Sequence, residues 1–199
     1  MDEFPKTFLD YSLAVLALGL ISPLLLVLAI VVKLDSSGPA LYRRRVMGRG
    51  WTQFDAFKLR TMYVDGDAIL ARRPDLLALW QHDQKLPDDP RITRSGHWLR
   101  RYSLDELPQL INVLRGEMSL VGPRMFAPVE LARYGEHAAE ILSVHPGITG
   151  LWQVSGRADL SYEDRARFDL EYVRTRSFRL DLKLLLLTIP TVLRGRGAR

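Results

Sequence analysis

From Tyr11 to Val32 the chain runs 22 residues without a formal charge, between Asp10 and Lys33. As a helix at ~1.5 Å per residue that stretch reaches ~33 Å, the thickness of a bilayer core, and a buried core helix or a cleavable leader is normally shorter. Ser22-Pro23 interrupts the middle of it. Proline has no N–H for the Gly19 carbonyl and crowds it, so a kink is expected, and the orphaned carbonyl needs a partner such as the Ser22 hydroxyl or water. Two readings fit these residues: a kinked spanning helix, or a helix that enters the membrane and returns. On either one, Arg43, Arg44, Arg45 and Arg49 follow closely, and the positive-inside rule puts the remaining chain on the cytoplasmic side.

That remainder, residues 36–199, reads as one catalytic-sized domain behind a membrane segment of residues 1–35. There is no cysteine, which excludes thiolate metal sites and thiol nucleophiles. The 28 basic residues exceed the 23 acidic ones and are mostly arginine, whose planar fork bonds two phosphate oxygens at once. An anionic partner follows, with phosphate chemistry favoured over a diffuse attraction to nucleic acid or lipid headgroups.

The periodicities predict an α+β, mostly helical fold. Ala40 to Val46 and Trp51 to Phe57, joined by Gly48-Arg49-Gly50, read as a β-hairpin with Phe54 on the face opposite Gln53, Asp55 and Phe57. Helices are expected over Asp65–Trp80, broken by Pro74, and over Leu104–Leu114, Val129–Leu142 and Tyr162–Arg176, the last with Phe168, Tyr172 and Val173 inward. Leu86 to Ser95 reads as a polar loop. Leu180 to Leu193 is apolar but too short to span, so it either packs on the core or lies in the membrane interface with Arg194, Arg196 and Arg199 on the headgroups.

Three stretches carry more charge and glycine than folding requires. Asp89-Pro-Arg-Ile-Thr-Arg94 is followed by Arg100, Arg101 and Ser103-Leu-Asp-Glu106. Ser103 and Glu106 have the spacing of a capping box, which accounts for Glu106 and only in part for Asp105. Pro108 loosens the turn that presents Asp105. Ser119-Leu-Val-Gly-Pro-Arg124 resembles an anion loop, and His145 to Arg157 ends in a second Gly-Arg; within it His145 reads as structural and Trp152 as core. A carboxylate pair among arginines suits attack on a pyrophosphate, because that electrophile's negative charge must first be neutralised.

In order along the chain, Ser22-Pro23, Lys58-Leu-Arg-Thr-Met62, Asp89 to Arg94, Leu99-Arg-Arg101, Ser103 to Leu110, Ser119 to Arg124 and Pro146-Gly-Ile-Thr-Gly150 resemble the signature blocks of the bacterial sugar transferases, the monotopic phosphoglycosyl transferases. The resemblance implies a re-entrant membrane helix broken at Ser22 and Pro23, interfacial amphipathic helices, and a location on the cytoplasmic face of the bacterial inner membrane. It implies transfer of a sugar 1-phosphate from a UDP-sugar, UDP-glucose or UDP-galactose, to polyprenyl phosphate with release of UMP. The partners are then those two substrates, membrane lipids and the glycosyltransferases that extend the product, with no nucleic acid.

By the same resemblance Asp105 is the nucleophile and a ligand of Mg2+, Glu106 assists it, Arg100 and Arg124 hold phosphate, and Lys58, Arg60 and Arg157 are further phosphate-binding candidates. Met125 departs from the family pattern, which has a second proline there. Extra N-terminal spans and a regulatory domain of larger members have no counterpart in the sequence, as expected of a short catalytic form or a truncation. The competing readings are a membrane-anchored module that binds anionic ligands without turnover, a lipid pyrophosphatase, and a transfer in one step without a covalent intermediate.

Overall fold

The computed structural model describes residues 3–83, 86, 88–156 and 161–194. It is mostly helical, with a small antiparallel sheet and one long apolar helix at its start. That helix, α1, is continuous from Glu3 to Asp35 with Pro23 inside it. The Ser22 hydroxyl donates to the Gly19 carbonyl at 3.0 Å, the partner that the missing proline N–H makes necessary. A stripe at helical spacing faces the rest of the protein: Ala14 is buried, Ala17, Leu18 and Ile21 pack beside it, and Leu28 and Val32 are buried further along. Leu16, Leu20, Val27 and Leu34 point outward, Leu20 being 83% exposed, so the helix is apolar on both faces.

Strands β1 (Leu41–Met47) and β2 (Gln53–Leu59) form the expected hairpin, in a register that pairs Arg44 with Ala56. A single 3-10 turn at Arg49–Trp51 joins them, with Gly50 and Trp51 both at positive φ. Phe54 and Ala56 face the core. Pro74 divides the next helical region as anticipated, into α2 (Gly66–Ala71) and α3 (Pro74–Asp83).

The polar loop that follows ends earlier than its composition suggests, because α4 (Arg94–Arg101) begins within it; the Thr93 side chain caps the helix, accepting from the Gly96 N–H at 3.0 Å. Asp89 closes the loop: one carboxylate oxygen accepts from the Arg91 backbone N–H and Nε, the other from Nη2 at 2.7 Å. Thr93 and Tyr63 exchange backbone hydrogen bonds across to Thr61 and Arg91, which lays this segment against residues 61–63.

The single helix expected over Leu104–Leu114 is two pieces, a 3-10 stretch at Leu104–Gln109 and then α5 (Leu110–Leu114). Pro108 is the cause, as it withholds one helical donor. The capping box does not form: Ser103 stands at φ 53° in the left-handed region, whereas a capping side chain needs an extended backbone. The helix expected over Val129–Leu142 is likewise divided, at Gly135 (φ 50°), into α6 (Leu131–Tyr134) and α7 (Ala138–Ile141), each preceded by a 3-10 turn.

A second sheet escaped the sequence reading. β3 (Ser119–Val121) pairs in parallel with β4 (Gly147–Thr149), and Gly122 lies so close to the segment leading into β4 that a Cβ there would come within 2.5 Å of the His145 carbonyl oxygen. After α8 (Leu151–Ser155) come α9 (Tyr162–Thr175) and α10 (Phe178–Arg194). On α9 Tyr172 is buried and Val173 packs inward as expected, but Phe168 is only half-buried. Arg165, Asp169 and Leu170 complete the inward face.

Both ends of α1 are bonded to this body. Near its start Asp10 accepts from the Ser119 hydroxyl at 2.7 Å and the Leu120 N–H at 3.1 Å, and Lys6 donates to Asp181 at the head of α10 at 2.6 Å. At its end Asp35 accepts from the Ser95 N–H and hydroxyl at 2.8 and 2.7 Å. The Arg60 guanidinium spans the final carbonyls, donating to Ser36 O at 2.8 Å and Val32 O at 3.4 Å, besides the Ser36 hydroxyl and Pro39 O. Arg60 is therefore the cap of α1, because uncapped helix carbonyls need donors and a cation suits that end. Arg60→Ala is expected to lower stability by roughly 3 kcal/mol, the scale of losing several charge-assisted bonds at a buried site. Denaturant unfolding in detergent micelles measures this, with proteolysis rising at 36–40 as a local readout.

Candidate active site

The carboxylate pair is held where the end of α1 meets the body. Leu28 and Val32 of α1 pack with Leu59, Leu99, Leu104 and Leu107, which bracket the pair on strand, helix and 3-10 turn. Asn112 locks β2 to this region: its Nδ2 donates to Asp55 O at 2.8 Å and to Glu117 at 2.7 Å, while its Oδ1 accepts the Phe57 N–H at 3.0 Å. That register brings Lys58 onto Glu106, Nζ to Oε1 at 2.5 Å.

Asp105 is 7% exposed, whereas the side chains of Glu106 and Lys58 keep 32% and 17% of their surface. Burial pushes the Asp105 carboxyl above the ordinary carboxylate range; Lys58 and Arg100 pull it down and Glu106 pushes with the burial. Arg100 projects from the last turn of α4 and donates from Nε to the Thr61 hydroxyl at 2.9 Å. Its guanidinium is lowered by burial, against which the charges of Asp105 and Asp89 act. The result is a buried, basic carboxylate with a second carboxylate and two cations as its nearest charges. This is an arrangement suited to nucleophilic attack on a phosphoryl centre, provided the donor's charge is neutralised.

Arg124 belongs to a second cluster. Its Nη1 donates to Glu130 at 3.2 Å and to the Tyr162 hydroxyl at 3.2 Å, and its backbone N–H to Asp169 at 3.0 Å. Arg44 of β1 reaches the other oxygen of Glu130 at 2.9 Å, and the Tyr162 hydroxyl also bonds Glu130. Despite burial, the surrounding cations hold the Glu130 carboxyl down to about 2. Glu130 and the two phenols Tyr134 and Tyr162 raise the Arg124 guanidinium above its usual value against its burial.

The structure thus brings Asp105, Glu106, Lys58 and Arg100 together, sets Arg124 in a separate cluster with Glu130 and Tyr162, and commits Arg60 to the end of α1. Arg157 lies outside the described residues. The family model described as bacterial sugar transferase matches residues 1–195.

The chain belongs to the bacterial sugar transferase family. The exopolysaccharide production protein ExoY of Sinorhizobium fredii is 44% identical over 197 residues, spanning 97% of this chain and 87% of its own length. The UDP-glucose:undecaprenyl-phosphate glucose-1-phosphate transferase of Caulobacter vibrioides is 42% identical over 96% of this chain and 70% of its own. The undecaprenyl-phosphate galactose phosphotransferase of Salmonella typhimurium is 43% identical over 99% of this chain, which spans 42% of that longer protein.

For this family member the sequence reading missed Thr61, Asn112, Glu130 and Asp169 as site-building residues. Asp169 had a usable signal, a carboxylate on the apolar face of α9. Asn112 likewise interrupts the apolar run of α5. Gln109 is fully buried just after the pair, and neither atom of its side-chain amide meets a polar partner among the described residues.

Burial raises the Asp169 carboxyl to about 7, with the Arg124 N–H and the Arg124 and Arg165 cations opposing. In the unfolded chain an aspartate ionises near ~3.9. The folded state therefore holds an extra proton between those values, and the stability this group contributes is lost as pH rises through about 7. Asp169→Asn keeps an acceptor for the Arg124 N–H and removes the titration. Its Tm relative to wild type is expected to be higher at about pH 8 than at about pH 5, measured by thermal scans in detergent at both values.

Proposed function

We propose that the chain moves a sugar 1-phosphate, glucose or galactose, from its UDP-sugar to undecaprenyl phosphate with release of UMP, the step that initiates exopolysaccharide assembly. The observation that carries the reading is the packing of the carboxylate pair's own segment, Leu104 and Leu107, on Leu28 and Val32 of the apolar helix. An enzyme that joins a soluble nucleotide sugar to a lipid phosphate needs its reactive group at that boundary. Names of relatives supply the substrate class: the Caulobacter and Salmonella proteins are called undecaprenyl-phosphate sugar transferases.

In the proposed chemistry an Asp105 carboxylate oxygen attacks the β-phosphorus of the UDP-sugar, and the bond to the bridging oxygen breaks so that UMP leaves with the electron pair. An oxygen of the lipid phosphate then attacks the same phosphorus and releases the Asp105 carboxylate. Arg100 and Lys58 neutralise phosphate oxygens, and Glu106 takes the acceptor's proton when it is not paired to Lys58. Because Asp105 is nearly covered, the donor reaches it from the side of the more exposed Lys58–Glu106 pair, which opens as the diphosphate enters. Arg124 acts at one remove, in its separate cluster, on a phosphate of donor or lipid.

Mg2+ fits this set in one way. Among the described residues no three metal-ligating side chains gather, but magnesium is commonly held by one or two carboxylates together with substrate phosphates. Asp105, adjoined by Glu106, would be its protein ligand, and the ion would supply further neutralisation of the diphosphate.

The helix α1 is read as re-entrant, with both ends on the cytoplasmic face of the bacterial inner membrane. From Asp10 to Asp35 a helix reaches ~37 Å, more than the hydrocarbon thickness. Crossing would carry β3 and α10, to which Lys6 and Asp10 are bonded, to the far side from Ser95. The arginines of β1 favour the cytoplasmic side, and the outward stripe of Leu182, Leu186, Ile189 and Leu193 on α10 supports an interfacial position for that helix.

Incubating the purified protein with Mg2+ and UDP-glucose or UDP-galactose without lipid tests the covalent route. UMP release is expected together with a hexose-phosphate mass adduct on the protein, both lost in Asp105→Asn. UMP appearing only when lipid is added, with no adduct, would instead indicate a one-step transfer, and no UMP under any condition an anionic-ligand binding module.

A further inference from the structure

The start of α1 borders two hollows that take no part in the chemistry above. One is a cavity of about 100 Å³ between α1, the hairpin turn, β3 and the end of α9. A single water needs roughly 10–15 Å³ by the same measure, so a phosphate group has room. Its walls bring in Arg49 and Arg176, Lys6, whose charge is already met by Asp181 at 2.6 Å, and the Asp10 carboxylate. That carboxylate is already engaged by Ser119 and Leu120. The other hollow is a groove of about 280 Å³ on the outward side, lined by Phe4, Thr7, Phe8 and Tyr11. Phe4 is 82% exposed and Phe8 67%. Thr7 lines both, so the cationic cavity and the apolar groove adjoin at that residue.

We infer that this pair of hollows is a binding site for one anionic glycerophospholipid, its phosphate in the cavity beside Arg49 and Arg176 and an acyl chain along Phe4 and Phe8. Charge complementarity selects an anionic headgroup, since a zwitterionic one brings its own cation into a wall that is already basic. The adjoining groove selects a ligand with a hydrocarbon chain over free phosphate. None of Lys58, Arg100, Asp105 or Glu106 lines the cavity, so the lipid held there is not the reacting acceptor. The inference rests on the reading that the outward face of α1 meets the membrane. The site would seat the beginning of the re-entrant helix, at Lys6 and Asp10, against the headgroup layer.

Native mass spectrometry of the detergent-purified full chain tests it, with phosphatidylglycerol, phosphatidylcholine or inorganic phosphate added. One phosphatidylglycerol per chain is expected to be retained in preference to phosphatidylcholine, and inorganic phosphate is expected not to displace it. The double variant Arg49→Gln, Arg176→Gln should hold it roughly tenfold more weakly, the effect of losing charge-assisted bonds. Arg179→Gln, on the exposed side of α10, should hold it as wild type does. Phe4→Ser with Phe8→Ser, which alters only exposed side chains and leaves the core intact, should also weaken retention.

Undiminished retention in either double variant overturns the inference. An equal loss in Arg179→Gln does so too, by showing a diffuse charge effect, as does displacement by phosphate alone. A chain that stays in solution without detergent would instead sink the membrane reading of α1 itself. Detergent dependence with no preferred lipid sinks only the site.

Discussion

The fastening of α1 at both ends governs the rest of the molecule. An apolar helix of 33 residues could bury any of several faces, and the polar bonds at its termini fix which stripe enters the apolar clusters of the body. At one end those are Lys6 and Asp10 on β3 and α10; at the other, Asp35 on the first turn of α4 and the Arg60 fork over the last carbonyls. The second set matters most for chemistry. Residues 58–61 run from the cation on Glu106, through the buried Leu59 and the cap of α1, to the hydroxyl that holds Arg100. One short stretch of backbone thus positions both cations beside the carboxylate pair and holds the end of α1 next to them.

The fold holds two electrostatic regimes. Around Asp105 the charges are few and oppose incompletely, so burial prevails and the carboxyl is raised. Around Glu130 the cations Arg44 and Arg124 with the Tyr162 hydroxyl overcome burial and hold the carboxylate ionised. A carboxylate of the first kind is poorly solvated and basic; one of the second kind is a fixed strut. Arg124 is pinned by such a strut and by the Tyr162 hydroxyl, so its guanidinium has little freedom to move.

Much of the fold was legible because the signals were local. The uncharged run to Val32, the hairpin around Gly50, the division at Pro74 and the loosened turn at Pro108 each rest on properties of one residue or one short pattern. Even the bond from Ser22 to Gly19 follows from proline chemistry alone. What was not legible depended on distant partners. β3 and β4 are three residues each, and their backbones meet where Gly122 faces Gly147 and Gly150, a fit written in two segments far apart in sequence. Ser103 has the composition of a cap but a backbone that forbids it, since the turn after α4 forces a left-handed residue there. Arg60 sits within a motif rich in phosphate-binding residue types, yet its guanidinium is taken by α1, and only the fold reveals that choice. Arg100 and Glu106 stand out in the sequence as charge clustered around Asp105, and Lys58 enters through the resemblance; that Lys58 meets Glu106 is visible only in the fold.

Ala14, Leu28 and Val32 of α1 are interior residues of two separate apolar clusters that also contain strand, helix and loop residues from the whole body. The anchor is therefore a wall of the building and not a mooring line. A polypeptide beginning at residue 36 would expose the inner faces of α5, β2 and α4 that α1 covers, and would lack the groups that Arg60 and Ser95 bind. Packing of the body and docking of α1 are therefore parts of one cooperative assembly. The helix that leaves the ribosome ahead of the body is thus one that the body needs before its own interior can close.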